Sequence, residues 1–126
     1  MTIPPATTQP AVRVLVVEDD SATNHALELL LRHQGYHVTL ATSLGEALRL
    51  LESEPHDVLL DLMLPDGDGM RVLEAVRHKR LKSRVVVVTG VGDTDHLARV
   101  HLLMPDALLK KPVEFFQILE KLSKVA

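Results

Sequence analysis

The chain has no cysteine. That absence excludes a disulfide scaffold, a thiolate zinc site, a redox CxxC pair and a thiol nucleophile. Tryptophan is missing too, and the aromatics amount to Tyr36, Phe115 and Phe116, too few for a platform that stacks nucleic-acid bases. Positive charge is not in excess: 17 acidic residues oppose 14 basic ones and the net charge is −3, so no global field draws the chain to nucleic acid or an anionic membrane. Long apolar runs are lacking as well. Stretches such as Val85–Val88 and Leu29–Leu31 fall far short of the roughly 18 residues of a bilayer span. The opening Met1-Thr-Ile-Pro-Pro-Ala-Thr-Thr-Gln-Pro10 has neither the basic residue nor the apolar block of a signal peptide. A soluble, cytoplasmic chain is the expectation.

What is present suits one ordinary domain. At 126 residues, folding buries roughly two-thirds of the unfolded surface, enough for a core without metal or disulfide staples. Three of the seven prolines fall in the first ten residues, which marks residues 1–11 as a flexible leader and residues 12–126 as the domain.

From Val12 onward, short Val- and Leu-rich runs alternate with segments of helical period. Val12–Val17, Val58–Leu62 and Val85–Val88 are nearly all apolar, and Tyr36–Leu40 and Ala107–Leu109 are weaker versions. Strands buried on both faces of a parallel sheet have this composition. Five helices are predicted between and after them. The first covers about Ala22–Gln34, with Ala26, Leu27, Leu30 and Leu31 inward and Gly35 as its stop. The second follows a capping box, Ser43-Leu-Gly-Glu46, and presents Leu44, Ala47, Leu48 and Leu51. The third runs over about Gly69–Lys79 with Met70, Leu73 and Val76 inward, and the fourth over about Thr94–Leu103 with Leu97 and Val100. The fifth begins with Pro112 in its first turn and carries Phe115, Ile118, Leu119 and Leu122. Strict strand–helix alternation implies an α/β fold with a doubly wound, five-stranded parallel sheet between two helical layers. Ligands of such sheets sit beyond the carboxyl ends of the strands.

At those ends stand Glu18-Asp19-Asp20, then Asp61, then Thr89-Gly90, then Lys110-Lys111-Pro112. Carboxylates gathered at one edge repel each other unless a cation joins them. A hard divalent ion such as Mg²⁺ relieves the repulsion and accepts phosphate oxygens as further ligands. The set therefore suits phosphoryl chemistry on a carboxylate. Asp61 is the nucleophile, Glu18 and Asp19 hold the metal, and Thr89 and Lys111 meet phosphoryl oxygens.

These same residues resemble a family. Arg13-Val-Leu-Val-Val-Glu-Asp-Asp20 is similar to the opening strand and acid pair of two-component response-regulator receiver domains. Pro55-His-Asp-Val-Leu-Leu-Asp61-Leu-Met-Leu-Pro65-Asp-Gly-Asp-Gly69 resembles the strand and loop around their phosphoaccepting aspartate. Val85–Gly90 and Lys111-Pro112 resemble two further motifs. The four occur in order, with separations of 42, 28 and 22 residues between Asp19, Asp61, Thr89 and Lys111. The resemblance implies a flavodoxin-like (βα)5 fold and phosphorylation of Asp61 by a sensor histidine kinase or a histidine phosphotransfer protein. It implies Mg²⁺ bound by Asp19, Asp61 and the backbone carbonyl of Met63, with Glu18 contributing through water. It also implies slow self-dephosphorylation rather than enzymatic turnover, and a switch surface on the fourth helix, fifth strand and fifth helix that can pair two copies.

Two positions depart from the family pattern. Leu108 stands where a Tyr or Phe usually reports phosphorylation, and Met104-Pro105 replaces a Gly-Ala pair. Leu108 lacks the large, polar-tipped side chain of the usual lever, which keeps open a second reading, a pseudo-receiver acting purely as an interaction module. Other motifs read blandly. Asp20 is the solvated member of its triplet. Asp66 and Asp68 belong to a turn and helix cap. Thr89-Gly90-Val-Gly92 is no dinucleotide loop, because position 95, where the third glycine would fall, is Asp. An aspartate-nucleophile phosphatase would need an acid where Met63 stands. The basic run from Arg77 to Arg84 is a solvated helix end, with no nucleic-acid contact expected.

Overall fold

The computed structural model describes residues 11–90 and 94–125. The predicted leader lies, apart from Ala11, outside the described residues. In chain order the elements are β1 (Arg13–Val17), α1 (Ser21–His33), β2 (His37–Ala41), α2 (Leu44–Leu50), β3 (Asp57–Asp61), α3 (Met70–His78), β4 (Arg84–Thr89), α4 (Thr94–Leu102), β5 (Ala107–Lys110) and α5 (Phe115–Lys121). A 3-10 turn, Leu51–Ser53, and a two-residue hairpin pairing Met63–Leu64 with Gly67–Asp68 complete the description. The five strands form one parallel sheet in the order β2-β1-β3-β4-β5. This is the expected doubly wound, flavodoxin-like architecture.

Alternation along each strand sorts the core into two layers, since successive side chains point to opposite faces. Leu15, Val17, Val58, Leu60, Val85 and Val87 face α2, α3 and α4 through Ala47, Leu73, Val76 and Val100. Val14, Val16, Leu59, Val86 and Val88 face α1 and α5 through Leu31 and Ile118. Each fully buried Val or Leu contributes roughly 1.5–3 kcal/mol relative to its exposed state. Strands covered on both sides are therefore the main energetic support of the acid-bearing edge.

Three expectations about helices need correction. In α1, Ala26 is exposed and Leu30 is 44% exposed; the inward line is Asn24, Leu27 and Leu31. The polar member has a reason to be there, because the Asn24 amide donates to the Glu18 carbonyl at 2.6 Å. The α2 capping box is shifted by one residue on one side. Ser43 Oγ accepts from the Glu46 N–H at 3.2 Å, but the Glu46 carboxylate takes the Thr42 N–H at 2.9 Å. Finally, α5 does not start at Pro112. Pro112 lies in a bend and Val113 in the loop after it, Val113 packing on the core, and the helix begins where Gln117 Oε1 accepts from the Glu114 N–H at 2.8 Å. The Lys111–Pro112 peptide is cis.

Candidate functional site

Parallel register brings the strand ends to one edge. Leu60 of β3 lies opposite Val17 of β1, Asp61 opposite Val88 of β4, and Thr89 opposite Lys110 of β5. One residue further, the Glu18 N–H donates to the Ala41 carbonyl at 3.0 Å and the Lys111 N–H to the Thr89 carbonyl at 2.7 Å. The ladders thus continue just far enough to hold Glu18 and Lys111 on either side of Asp61. A cavity of about 610 Å³ opens there between α1 and α5, bordered by Glu18, Asp61 and Lys111 and walled by Leu27, Leu59, Val88 and Ile118.

Asp61 is buried and both its oxygens are held: Oδ1 accepts from the Met63 N–H at 2.9 Å and Oδ2 from Lys111 Nζ at 2.6 Å. Burial pushes its pKa up, yet hydrogen bonds from Glu18, Lys111 and the Met63 N–H outweigh it and bring the net shift down. Glu18 goes the other way, raised to about 8 by burial first, then by the hydrogen bond and charge of Asp61. The opposite directions follow from the donors: the Lys111 ammonium and the Met63 N–H favour the charged form of Asp61, whereas Glu18 is buried beside a second carboxylate. The Lys111 ammonium is stabilised in turn, chiefly by its bond to Asp61.

The remaining candidates are placed less centrally. Asp19 is exposed. Thr89 is half-buried, and its hydroxyl donates to the Gly90 carbonyl at a long 3.5 Å. Asp20 is the N-cap of α1, accepting from the Thr23 N–H at 3.0 Å. Leu108 is half-buried and packs on the core layer below α2, α3 and α4. Val91–Asp93, part of the glycine-rich stretch, lie outside the described residues. Asn24 was not singled out in the sequence; the signal for it is a polar residue at i−3 and i−7 from Leu27 and Leu31. Asp57, also buried, occupies the opposite end of β3, where Ser123 holds both its oxygens. It is not part of the acidic pocket.

The pocket fits a hard cation. Glu18 Oε2 is buried with no hydrogen-bond partner, and a second carboxylate stands beside it. Among the described residues no group of three His, Asp or Glu forms a ready-made metal cluster. Mg²⁺ does not require one, because it keeps several waters and takes one or two carboxylates with substrate phosphates.

A doubly wound sheet whose central strand ends in a buried aspartate, with an acid on one side and a lysine on the other, defines a phosphoryl-accepting signalling domain. The sequence model of the response regulator receiver domain matches residues 14–123, and the chain belongs to that family. It is 32% identical over 116 residues to the cell cycle transcriptional regulator CtrA of Caulobacter vibrioides, covering 90% of this chain and 50% of that protein. A CheY-like receiver domain from Methanospirillum hungatei superimposes with a TM-score of 0.83 at 32% identity, covering 89% of this chain and 90% of that one. A response regulator from Burkholderia pseudomallei, solved with a phosphorylated aspartate, calcium and citrate, has a TM-score of 0.79 at 26% identity, over 88% and 66% of the two chains. This chain spans about half the length of the CtrA relative. It is a receiver domain of two-component signal transduction. Such domains take phosphoryl groups from histidine kinases or phosphotransfer proteins, and as a family bind Mg²⁺ at the acidic pocket. Nothing in the geometry favours an interaction-only module. No helix of the described residues is long and apolar enough to cross a membrane.

Proposed function

We propose that Asp61 is the residue that accepts the phosphoryl group. The observation that carries this reading is the buried Asp61 carboxylate, held ionised at 2.6 Å from Lys111 Nζ at the end of the central strand. One Asp61 oxygen bonds to phosphorus while the P–N bond of a phosphohistidine donor breaks, and the imidazole departs with the electron pair. Met63 N–H and Lys111 orient the attacking carboxylate. As the acyl phosphate forms, the Asp61 charge moves outward onto phosphoryl oxygens, and Lys111 follows it. Thr89, at the neighbouring strand end, donates its hydroxyl to a phosphoryl oxygen once one is present. Glu18, Asp19, Asp61 and the Met63 carbonyl hold Mg²⁺, with Glu18 acting through water. When bound, Mg²⁺ neutralises charge on the transferring group. The Burkholderia pseudomallei relative, solved with a phosphorylated aspartate and a calcium ion, supports this reading.

Residues 12–126 form the receiver and residues 1–11 its leader, the domain acts in the cytoplasm, and the phosphoryl group is lost by slow self-catalysed hydrolysis. The face of α4, β5 and α5 pairs two copies; Leu102 and Phe116, 82% and 59% exposed, supply apolar contact there. The test is intact-mass spectrometry after treatment with acetyl phosphate and Mg²⁺. Wild type gains roughly 80 Da, one phosphoryl group, and Asp61→Asn gains nothing. A wild type that takes no adduct refutes the reading.

A further inference from the structure

The turn that follows the acceptor does more than reverse the chain. From Met63 to Asp68 it forms a small antiparallel hairpin, Met63 opposite Asp68 and Leu64 opposite Gly67, wedged between the acceptor and α2. On the acceptor side, Gly69 lies so close that a Cβ there would come within 2.7 Å of the Asp61 carbonyl oxygen and 2.8 Å of Leu62 Cα. On the α2 side, a Cβ at Gly67 would meet Leu44 Cδ2 at 2.8 Å. Between these contacts sits Asp66. Its Oδ1 accepts from the Leu44 N–H at 2.7 Å and its Oδ2 from the Gly45 N–H at 3.0 Å. Those bonds span more than 20 residues of sequence and use both carboxylate oxygens. Asp68 meanwhile takes the Met70 N–H at 2.9 Å and pairs with Arg99 of α4 at 3.8 Å.

We propose that Asp66 is a positioning residue for the acceptor pocket: by fastening the hairpin to the first turn of α2, it fixes Met63, whose N–H holds one oxygen of Asp61. The inference rests on the reading of Asp61 as acceptor. Asp66 follows Met63 by three positions, in the turn that closes the hairpin pairing Met63 with Asp68 and Leu64 with Gly67, so releasing Asp66 frees the strand that carries Met63. The Asp61 oxygen then loses its aligned donor, and the Met63 carbonyl, proposed above as a ligand of the cation, is no longer held in place.

The experiment compares wild type, Asp66→Ala, Asp66→Asn and Ser43→Ala. Ser43→Ala weakens the same helix start through Glu46 without touching the hairpin. Two quantities are followed on the whole chain: hydrogen-exchange protection of the Met63 amide without metal, and the Mg²⁺ concentration that half-saturates its NMR shift. Asp66→Ala is expected to lower protection and raise the half-saturation point by about two- to thirtyfold, the span produced by mutations that touch no ligand but lie in a network coupled to its site. Asp66→Asn, which keeps one acceptor, falls between, and Ser43→Ala matches wild type. If Asp66→Ala matches wild type, or if Ser43→Ala shifts Met63 equally, the proposal is overturned. Should Asp66→Ala fail to fold, Asp66→Asn carries the test, and a wild-type Met63 amide in it overturns the proposal. The acetyl phosphate adduct is measured in parallel. Its absence from wild type refutes the acceptor reading, whereas an adduct with unchanged Met63 behaviour refutes only the role of Asp66.

Discussion

At the scale of single residues, the pocket is governed by unequal sharing of donors. Asp61 has a lysine and a backbone N–H, while Glu18 has a buried oxygen with no partner. The pH dependence follows from the resulting shift. Glu18 has an ordinary carboxyl pKa in the unfolded chain and about 8 in the fold, so the native state binds more protons between those values. Its contribution is favourable below the unfolded pKa and is lost as pH rises through the folded one. In metal-free buffer, stability measured by urea unfolding is therefore expected to fall between about pH 5 and pH 8. Glu18→Gln should flatten that slope; an unchanged slope in the variant would place its source elsewhere. Lys111→Gln isolates the other partner. With the ammonium gone, burial pushes Asp61 upward, so its carboxyl carbon should titrate at higher pH by NMR than in wild type. A midpoint that stays put or falls would show that Lys111 does not hold the carboxylate ionised.

Elements show how far the fold and the site could be read from the sequence and where reading failed. The apolar runs of β1, β3 and β4 announce themselves because both faces of those strands are covered, leaving no polar position to blur the pattern. For the same reason the acids at the ends of β1 and β3, Glu18 and Asp61, were legible: a charge at the end of such a run has only the sheet edge to occupy. The start of α5 was not, because Pro112 is equally suited to a first helical turn and to the bend it occupies. Nor was the inward face of α1, where Asn24 is buried for its hydrogen bond to the Glu18 carbonyl, an obligation that no count of apolar residues shows. The Met63–Asp68 hairpin was also hidden, since two-residue strands carry no periodicity. Its tight fit gives an element-scale prediction. Gly69→Ala places a methyl against the backbone of Asp61 and Leu62, and should cost about 1–3 kcal/mol in denaturant unfolding, the usual penalty of overpacking. A Cβ at Gly90 meets nothing within 4 Å among the described residues, so Gly90→Ala should stay within about 0.5 kcal/mol of wild type. Equal effects at the two glycines would contradict the close approach.

For the molecule as a whole, the two ends of the sheet have separate duties. The carboxyl end gathers Glu18, Asp61 and Lys111, and the amino end ties down the chain after α5. There the fully buried Asp57 accepts from the Ser123 N–H at 2.9 Å and the Ser123 hydroxyl at 2.8 Å. Tyr36 donates to the Ser123 carbonyl at 2.8 Å and Arg84 to the Lys121 carbonyl at 3.1 Å. Leu122, 3% exposed, joins the core layer under α1 and α5. Because β3 carries Asp57 at one end and Asp61 at the other, the latch and the acceptor share a single rigid strand. Truncation after Lys121 should then act through the core, not through the pocket directly. It removes a buried leucine and strands a buried carboxylate, changes that together cost at least about 3 kcal/mol, since burying an unsatisfied group costs about 1–3 kcal/mol and losing a buried leucine side chain 2–5. Ser123→Ala deletes only the hydroxyl bond, leaves the backbone N–H on Asp57, and should cost about 1 kcal/mol. Urea unfolding of the three chains measures both. If truncation costs no more than Ser123→Ala, the segment after α5 is an appendage and the amino end of the sheet is sealed by something other than Leu122 and the Asp57–Ser123 pair.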